Sequence, residues 1–151
     1  MDKKDSVLRL KDRNLLLVGP NSSLTQSIAK MFSELGANIA FLSQNVTQLT
    51  RFSEQINDAR EMNDNFGRAC AIQANLIDTA ACREGVSKVA EAFGGIDVYI
   101  DANQFFWCKP FRQWNQLSEV RPLLQNNMEV PLQVTHAVLK YLEEKKRGRI
   151  I

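Results

Sequence analysis

The stretch Asn14-Leu15-Leu16-Leu17-Val18-Gly19-Pro20-Asn21-Ser22-Ser23-Leu24-Thr25 decides the fold. An unbroken apolar run ends on a glycine, short polar residues make a turn, and a helical period begins. Apolar residues in a row, without alternation, read as a strand covered on both faces, as parallel strands are. Residues 38–42, 69–74 and 96–100 repeat the pattern, and Gly148-Arg149-Ile150-Ile151 reads as the entry to one more strand.

Amphipathic helices lie between the strands. Leu24, Ile28, Phe32 and Leu35 recur at helical spacing, and Gly36 follows where a C-terminal glycine belongs. Leu49, Phe52, Ile56 and Ala59 form a second stripe after Asn45, the expected N-cap. Cys82, Val86, Val89, Ala90 and Phe93 form a third, between Asp78 and Gly94-Gly95. Strands alternating with helices, joined by right-handed crossovers, predict an α/β doubly wound parallel sheet. The expectation is a Rossmann-like, three-layer αβα domain with strand order 3-2-1-4.

The last helix carries two stripes. Leu132, His136, Leu139 and Leu142 are expected to face the sheet. Val130, Val134, Val138 and Tyr141 are turned to the side and predict a second copy of the chain as partner, a homo-oligomer.

A chain of 151 residues is expected to be a single domain, here one cut short at its C-terminus. Its 19 Lys and Arg nearly balance 17 Asp and Glu, which points to neither nucleic acid nor a membrane surface. Cys70, Cys82 and Cys108 are odd in number and widely spaced, so neither a disulfide framework nor a zinc site is suggested. Met1-Asp2-Lys3-Lys4-Asp5 is charged and leads into no long apolar run, so a cytoplasmic protein is expected.

From about residue 8 onward the chain resembles the short-chain dehydrogenase/reductase family. The opening strand Leu10 to Gly19, Gly36-Ala37-Asn38-Ile39, Phe93-Gly94-Gly95-Ile96-Asp97-Val98, Asn127 ahead of Val134-Thr135-His136-Ala137-Val138-Leu139, and Gly148-Arg149-Ile150-Ile151 carry the likeness. The resemblance implies an NAD(P)-linked oxidoreductase, or its cofactor-binding half, with Asn127 in a supporting catalytic role. It implies NAD or NADP held by Gly19, Asn21, Ser22, Ser23, Leu24, Gln44, Asn75, Leu76 and Ala102. A degenerate, non-catalytic relative, acting as an oligomerising module or a dinucleotide sensor, is the alternative.

Departures from the family pattern bear on the cofactor. The family's first turn reads T-G-x-x-x-G-x-G, whose glycines let the pyrophosphate approach the backbone and the helix pack on its strand. Only Gly19 remains here, with Ser23 and Thr25 at the other two positions, so binding is expected to be weak or absent. Asn21, Ser22 and Ser23 can still cap a helix whose N-terminus offers N–H groups to an anion. Gln44 ends the second strand where the family often has an acid for the ribose or an arginine for a 2′-phosphate, so NAD and NADP are left undistinguished. Asn75-Leu76 stands where the family has Asp and an apolar residue, and Asp101-Ala102-Asn103-Gln104 where it has N-N-A-G.

Tyr141-Leu142-Glu143-Glu144-Lys145 fits Y-x-x-x-K, the family's catalytic signature, in which Lys lowers the Tyr pKa for proton transfer. It precedes the fifth strand, whereas the family's motif follows it, and Met128 stands where the upstream Ser belongs. Tyr141 is expected on an apolar face and Lys145 at a solvated helix end. The chain by itself is therefore expected not to transfer hydride. His136 reads as a core or interface residue, since no nucleophile or acid accompanies it. Lys145-Lys146-Arg147-Gly148-Arg149 reads as a cationic helix end capped by Gly148. The aromatic stretch 105–111 with Trp114 suits core packing or an interface, and Cys108 within it has no neighbouring base.

Overall fold

The structure, a computed structural model, describes residues 10–103, 105–106, 110–113 and 117–151. Gln104, Cys108 and Trp114, with residues 107, 109, 115 and 116, lie outside the described residues.

Five parallel strands form one sheet in the order β3-β2-β1-β4-β5. They are β1 (Asn14–Val18), β2 (Asn38–Ser43), β3 (Ala69–Gln73), β4 (Val98–Asp101) and β5 (Arg149–Ile150). The central strand β1 runs in register with β2 from Asn14↔Asn38 to Val18↔Leu42, and with β4 from Leu15↔Val98 to Val18↔Asp101. The expected order 3-2-1-4 therefore holds, and Arg149 and Ile150 extend it as a fifth strand beside β4.

Helices α1 (Ser23–Glu34), α2 (Thr47–Met62), α3 (Thr79–Phe93) and α5 (Val130–Glu144) cover the sheet. Leu15 and Leu17 point into one core with Ala29, Phe41, Leu49 and Ile56. Leu16 and Val18 point into the other with Val86, Val89, Val134 and Val138. All five residues of β1 are buried, as its apolar run predicts.

Local signals were kept in part. Asp78 caps α3 by accepting the Ala81 N–H at 2.7 Å, and Gly94 closes it in a left-handed turn. Asn45 lies one residue outside the cap of α2, which is Val46; its Oδ1 accepts the Thr47 N–H at 3.3 Å in a local turn. The last helix ends at Glu144 with Lys145 as its C-cap, and Lys146 takes the left-handed conformation expected of Gly148. Gly148 instead lies against Leu142, whose side chain a Cβ would meet at 2.7 Å.

Two helix faces differ from expectation. In α1 the inward face is Thr25, Ala29 and Ser33, flanked by Ile28 and Phe32, while Leu24 is exposed. Small residues at four-residue spacing let this helix lie close on the sheet. In α5 the two stripes exchange roles except at Leu142, which is buried in the core as expected. Val130, Val134 and Val138 are buried in the chain's own core, with Tyr141 packed against it. Leu132 and Leu139 are exposed with His136 on the outer face. The inner stripe wins because α5 packs on both the sheet and α3, so its β-branched residues fill that corner.

A short helix α4 (Arg121–Leu124) enters α5 through a wide π turn, Gln125–Glu129. The Val130 N–H reaches back five residues to the Gln125 carbonyl. Pro131 has no N–H and cannot supply the α-helical bond to the Asn127 carbonyl, so the ladder loosens here.

Candidate functional site

A cleft of about 370 Å³ opens at the carboxyl ends of the strands. It lies beside the end of β1, where the strand order turns from β2 on one side to β4 on the other. Open α/β sheets bind ligands at such a switch point, because the crossovers on its two sides diverge and leave a crevice.

The turn after β1 makes one wall. Gly19 passes so close to β4 that a Cβ there would lie 3.0 Å from the backbone C and O of Ala102. Ala102, buried, is the support beneath this turn rather than part of the lining. The Ala102 N–H donates to the Val18 carbonyl at 2.7 Å, which locks the two strand ends together. Ser22 is the N-cap of α1, its Oγ accepting the Thr25 N–H at 3.2 Å. Thr25 is fully buried, and its hydroxyl lies 3.0 Å from that same Oγ. The helix thus tolerates a Cβ at the third glycine position through a hydrogen bond. Ser23 and Leu24 are exposed on the first turn and do not line the cleft.

The other wall comes from β2 and β3. Gln44 and Leu76 line the cleft, with Val18, Leu42 and Ile77. Asn75 points away; its Oδ1 accepts the Ile77 N–H at 3.2 Å and shapes the loop. Of the ten expected site residues, the cleft thus gathers Gly19, Asn21, Gln44 and Leu76. Pro20, Asn45, Gln48, Asn103, Asn126 and Val130 also line it and were not among the expected binding residues. Gln48 reaches the cleft only because α2 lies beside α1, and Asn126 only because of the π turn.

Across the mouth, the Asn21 Nδ2 donates to Gln48 Oε1 at 2.8 Å, and Gln26 Nε2 donates to Asn21 Oδ1 at 2.9 Å. On the β4 side, Asn127 holds the backbone of Phe105 by both ends. The Phe105 N–H donates to its Oδ1 at 3.0 Å, and its Nδ2 donates to the Phe105 carbonyl at 2.8 Å. Asn103 Nδ2 donates to the Asn126 carbonyl at 2.9 Å. The π turn is thereby tied to the loop that leaves β4. At the end of β4, burial raises the Asp101 carboxyl above its ordinary range, and the hydrogen bond from the Asn103 N–H only partly offsets this.

The Y-x-x-x-K pair lies elsewhere. Lys145 Nζ is 3.0 Å from Asp97 Oδ2, at the amino end of the sheet. It is therefore a partnered residue, not a solvated one. Tyr141 carries the Lys140 ammonium 4.6 Å above its ring.

The sequence profile of the short chain dehydrogenase family matches residues 13–151. Dehydrogenase/reductase SDR family member 7B of Rattus norvegicus is 23% identical over 142 residues, covering 94% of this chain and 43% of that protein. Oxidoreductase UcpA of Salmonella typhimurium is 26% identical over 145 residues, covering 95% and 51%. The chain thus spans about half the length of these relatives. Among solved structures, an NADH-dependent reductase complexed with NAD superposes with a TM-score of 0.79 at 20% identity, over 93% of this chain and 58% of the other. A gluconate 5-dehydrogenase from Burkholderia cenocepacia, in complex with NADP and tartrate, superposes with a TM-score of 0.81 at 19% identity, over 95% and 53%. With the family profile matching nearly the whole chain on a sheet of this order, the protein belongs to the short chain dehydrogenase family.

Proposed function

We propose that this chain is the nucleotide-binding half of an NAD(P)-linked oxidoreductase. One observation carries the reading: the cleft at the switch point is walled by the Gly19 turn on one side and by Gln44 and Leu76 on the other. The residues present fit an adenine dinucleotide. Leu42, Leu76 and Ile77 offer an apolar seat for a base, and the start of α1 offers first-turn N–H groups to a pyrophosphate. A bound nicotinamide would supply hydride chemistry; this chain's part is to hold and orient it.

Ser23 sets the strength of binding. Its Cβ stands where the family's second glycine lets phosphate approach the backbone. Titration of NADH and NADPH against tryptophan fluorescence should give saturable binding with a Kd above about 100 µM. Ser23→Gly should tighten it about tenfold. A parent chain that binds at micromolar Kd would show that the turn tolerates the side chain, and no saturation with either dinucleotide would sink the nucleotide reading.

Hydride transfer by this chain alone is not expected. A proton donor must stand beside the nicotinamide, and Lys145 is committed to Asp97 at the opposite end of the sheet. Tyr141→Phe should leave any carbonyl reduction with NADPH unchanged; turnover lost in that variant would reinstate the motif.

Self-association is proposed through the outer face of α5, with Leu132 and Leu139 continuing the exposed Met128 and Leu124. Such a stripe is apolar at helical spacing and buries best against its own copy. Leu132→Glu with Leu139→Glu should leave the fold intact and yield a monomer by sedimentation, whereas Val134→Glu should unfold the chain. A parent chain that is monomeric at every concentration excludes the proposal. Among the described residues no helix is long and apolar enough to cross a membrane. The cytoplasm is proposed as the compartment, with Cys70 and Cys82 free as a reducing environment keeps them.

A further inference from the structure

The rim of the cleft above β2 is made of carboxamides: Asn21, Gln44, Asn45 and Gln48. Every described residue lining the cleft is uncharged. Two of the amides are joined across the mouth, Asn21 Nδ2 to Gln48 Oε1, and Gln26 holds the far side of Asn21. Gln44 is held from behind, its backbone carbonyl accepting Gln73 Nε2 at 3.1 Å, while its side chain stays exposed.

From this we infer that the amide corner selects a dinucleotide whose adenosine ribose carries free 2′ and 3′ hydroxyls, NADH over NADPH. The inference rests on the nucleotide reading above. In a sheet of this kind the end of the second strand meets that ribose. A hydroxyl both donates and accepts, and so does a carboxamide, so a vicinal diol can be met by Gln44 and Gln48 without any change of charge. A 2′-phosphate carries close to two negative charges at neutral pH and is met elsewhere by a cation, above all by the fork of an arginine. Here it would lose water against neutral amides, with no cation among the described residues lining the cleft to offset it.

The test is the ratio of two dissociation constants measured by calorimetry on the same chain. NADH should bind about tenfold or more tighter than NADPH. Gln48→Arg and Gln44→Arg, both at exposed positions, should each close that gap by strengthening NADPH, with melting temperature as the check on folding. Equal binding in the parent chain, or tighter binding of NADPH, overturns the inference and leaves the nucleotide reading standing. A gap that neither arginine narrows overturns the assignment to this corner. Binding of neither dinucleotide overturns both.

Discussion

An Asp97→Ala chain is expected to lose about 2–4 kcal/mol of stability and to melt roughly 5–15 °C below its parent. Asp97 is almost wholly buried at the amino end of the sheet. Its Oδ2 accepts the Asn14 N–H at 3.0 Å and Lys145 Nζ at 3.0 Å, and its Oδ1 lies 3.4 Å from Arg13 Nη1. One carboxylate thus joins the start of β1, the start of β4 and the end of α5. Removing it strands a backbone donor and two cations. The Arg13 and Lys145 side chains are 35% and 27% exposed and keep part of their water, which holds the cost below that of a sealed pair. Burial alone would raise the Asp97 carboxyl, but the Asn14 N–H, Lys145 and Arg13 outweigh it and hold it below its ordinary range. A carboxyl depressed in the folded chain stabilises it fully above the unfolded value, near pH 4, and loses this as pH falls through the folded value. Urea unfolding of the two chains should therefore show a gap at pH 7 that shrinks toward pH 3. A gap that ignores pH would mean that shape, not charge, holds this corner.

Gly67→Ala is expected to be at least as damaging, about 3 kcal/mol or more, with little folded protein recovered. Gly67 precedes β3 and passes directly over the start of β2. A Cβ built there lies 1.7 Å from the Ala37 carbonyl oxygen and 2.2 Å from its carbon. Both obstacles are backbone, so no side chain can swing away. The same close passage holds the Ile39 N–H on the Arg68 carbonyl at 2.7 Å and the Gly67 N–H on the Ser33 carbonyl at 2.9 Å. Gly94→Ala is the control. Nothing lies within 4 Å of its added Cβ, and only the left-handed φ of +76° opposes it. That change should cost about 1 kcal/mol. Near-equal melting temperatures for the two variants would refute the steric account.

The strands were legible because their apolar runs are short and unbroken, and the two at the centre, β1 and β2, are buried as such runs require. No run of Leu15 to Val18 can face water on either side, and that excludes alternation. Helix faces were less legible. In α1 and α5 the larger apolar residues suggested one face, but the sheet took Thr25, Ala29 and Ser33 in the first and Val130, Val134 and Val138 in the second. Periodicity gives a stripe's spacing, and only the distance of approach says which stripe goes in. The cleft was half legible for a related reason. Gly19 and Gln44 sit at strand ends, where the chain's own order places them. Gln48 and Asn126 arrive by helix packing and by the π turn, which local pattern does not encode.

One amide changes how the sheet meets other chains. Asn57 of α2 covers the outer side of β3 at Ala69, its Nδ2 donating to the Ala69 carbonyl at 2.9 Å and its Oδ1 accepting the Ala69 N–H at 2.8 Å. A side chain here imitates the backbone of a neighbouring strand. An incoming strand would have to break both bonds and displace the helix that carries them. At the start of β3 the molecule has thus already supplied, from a side chain, the partner that a further strand would offer.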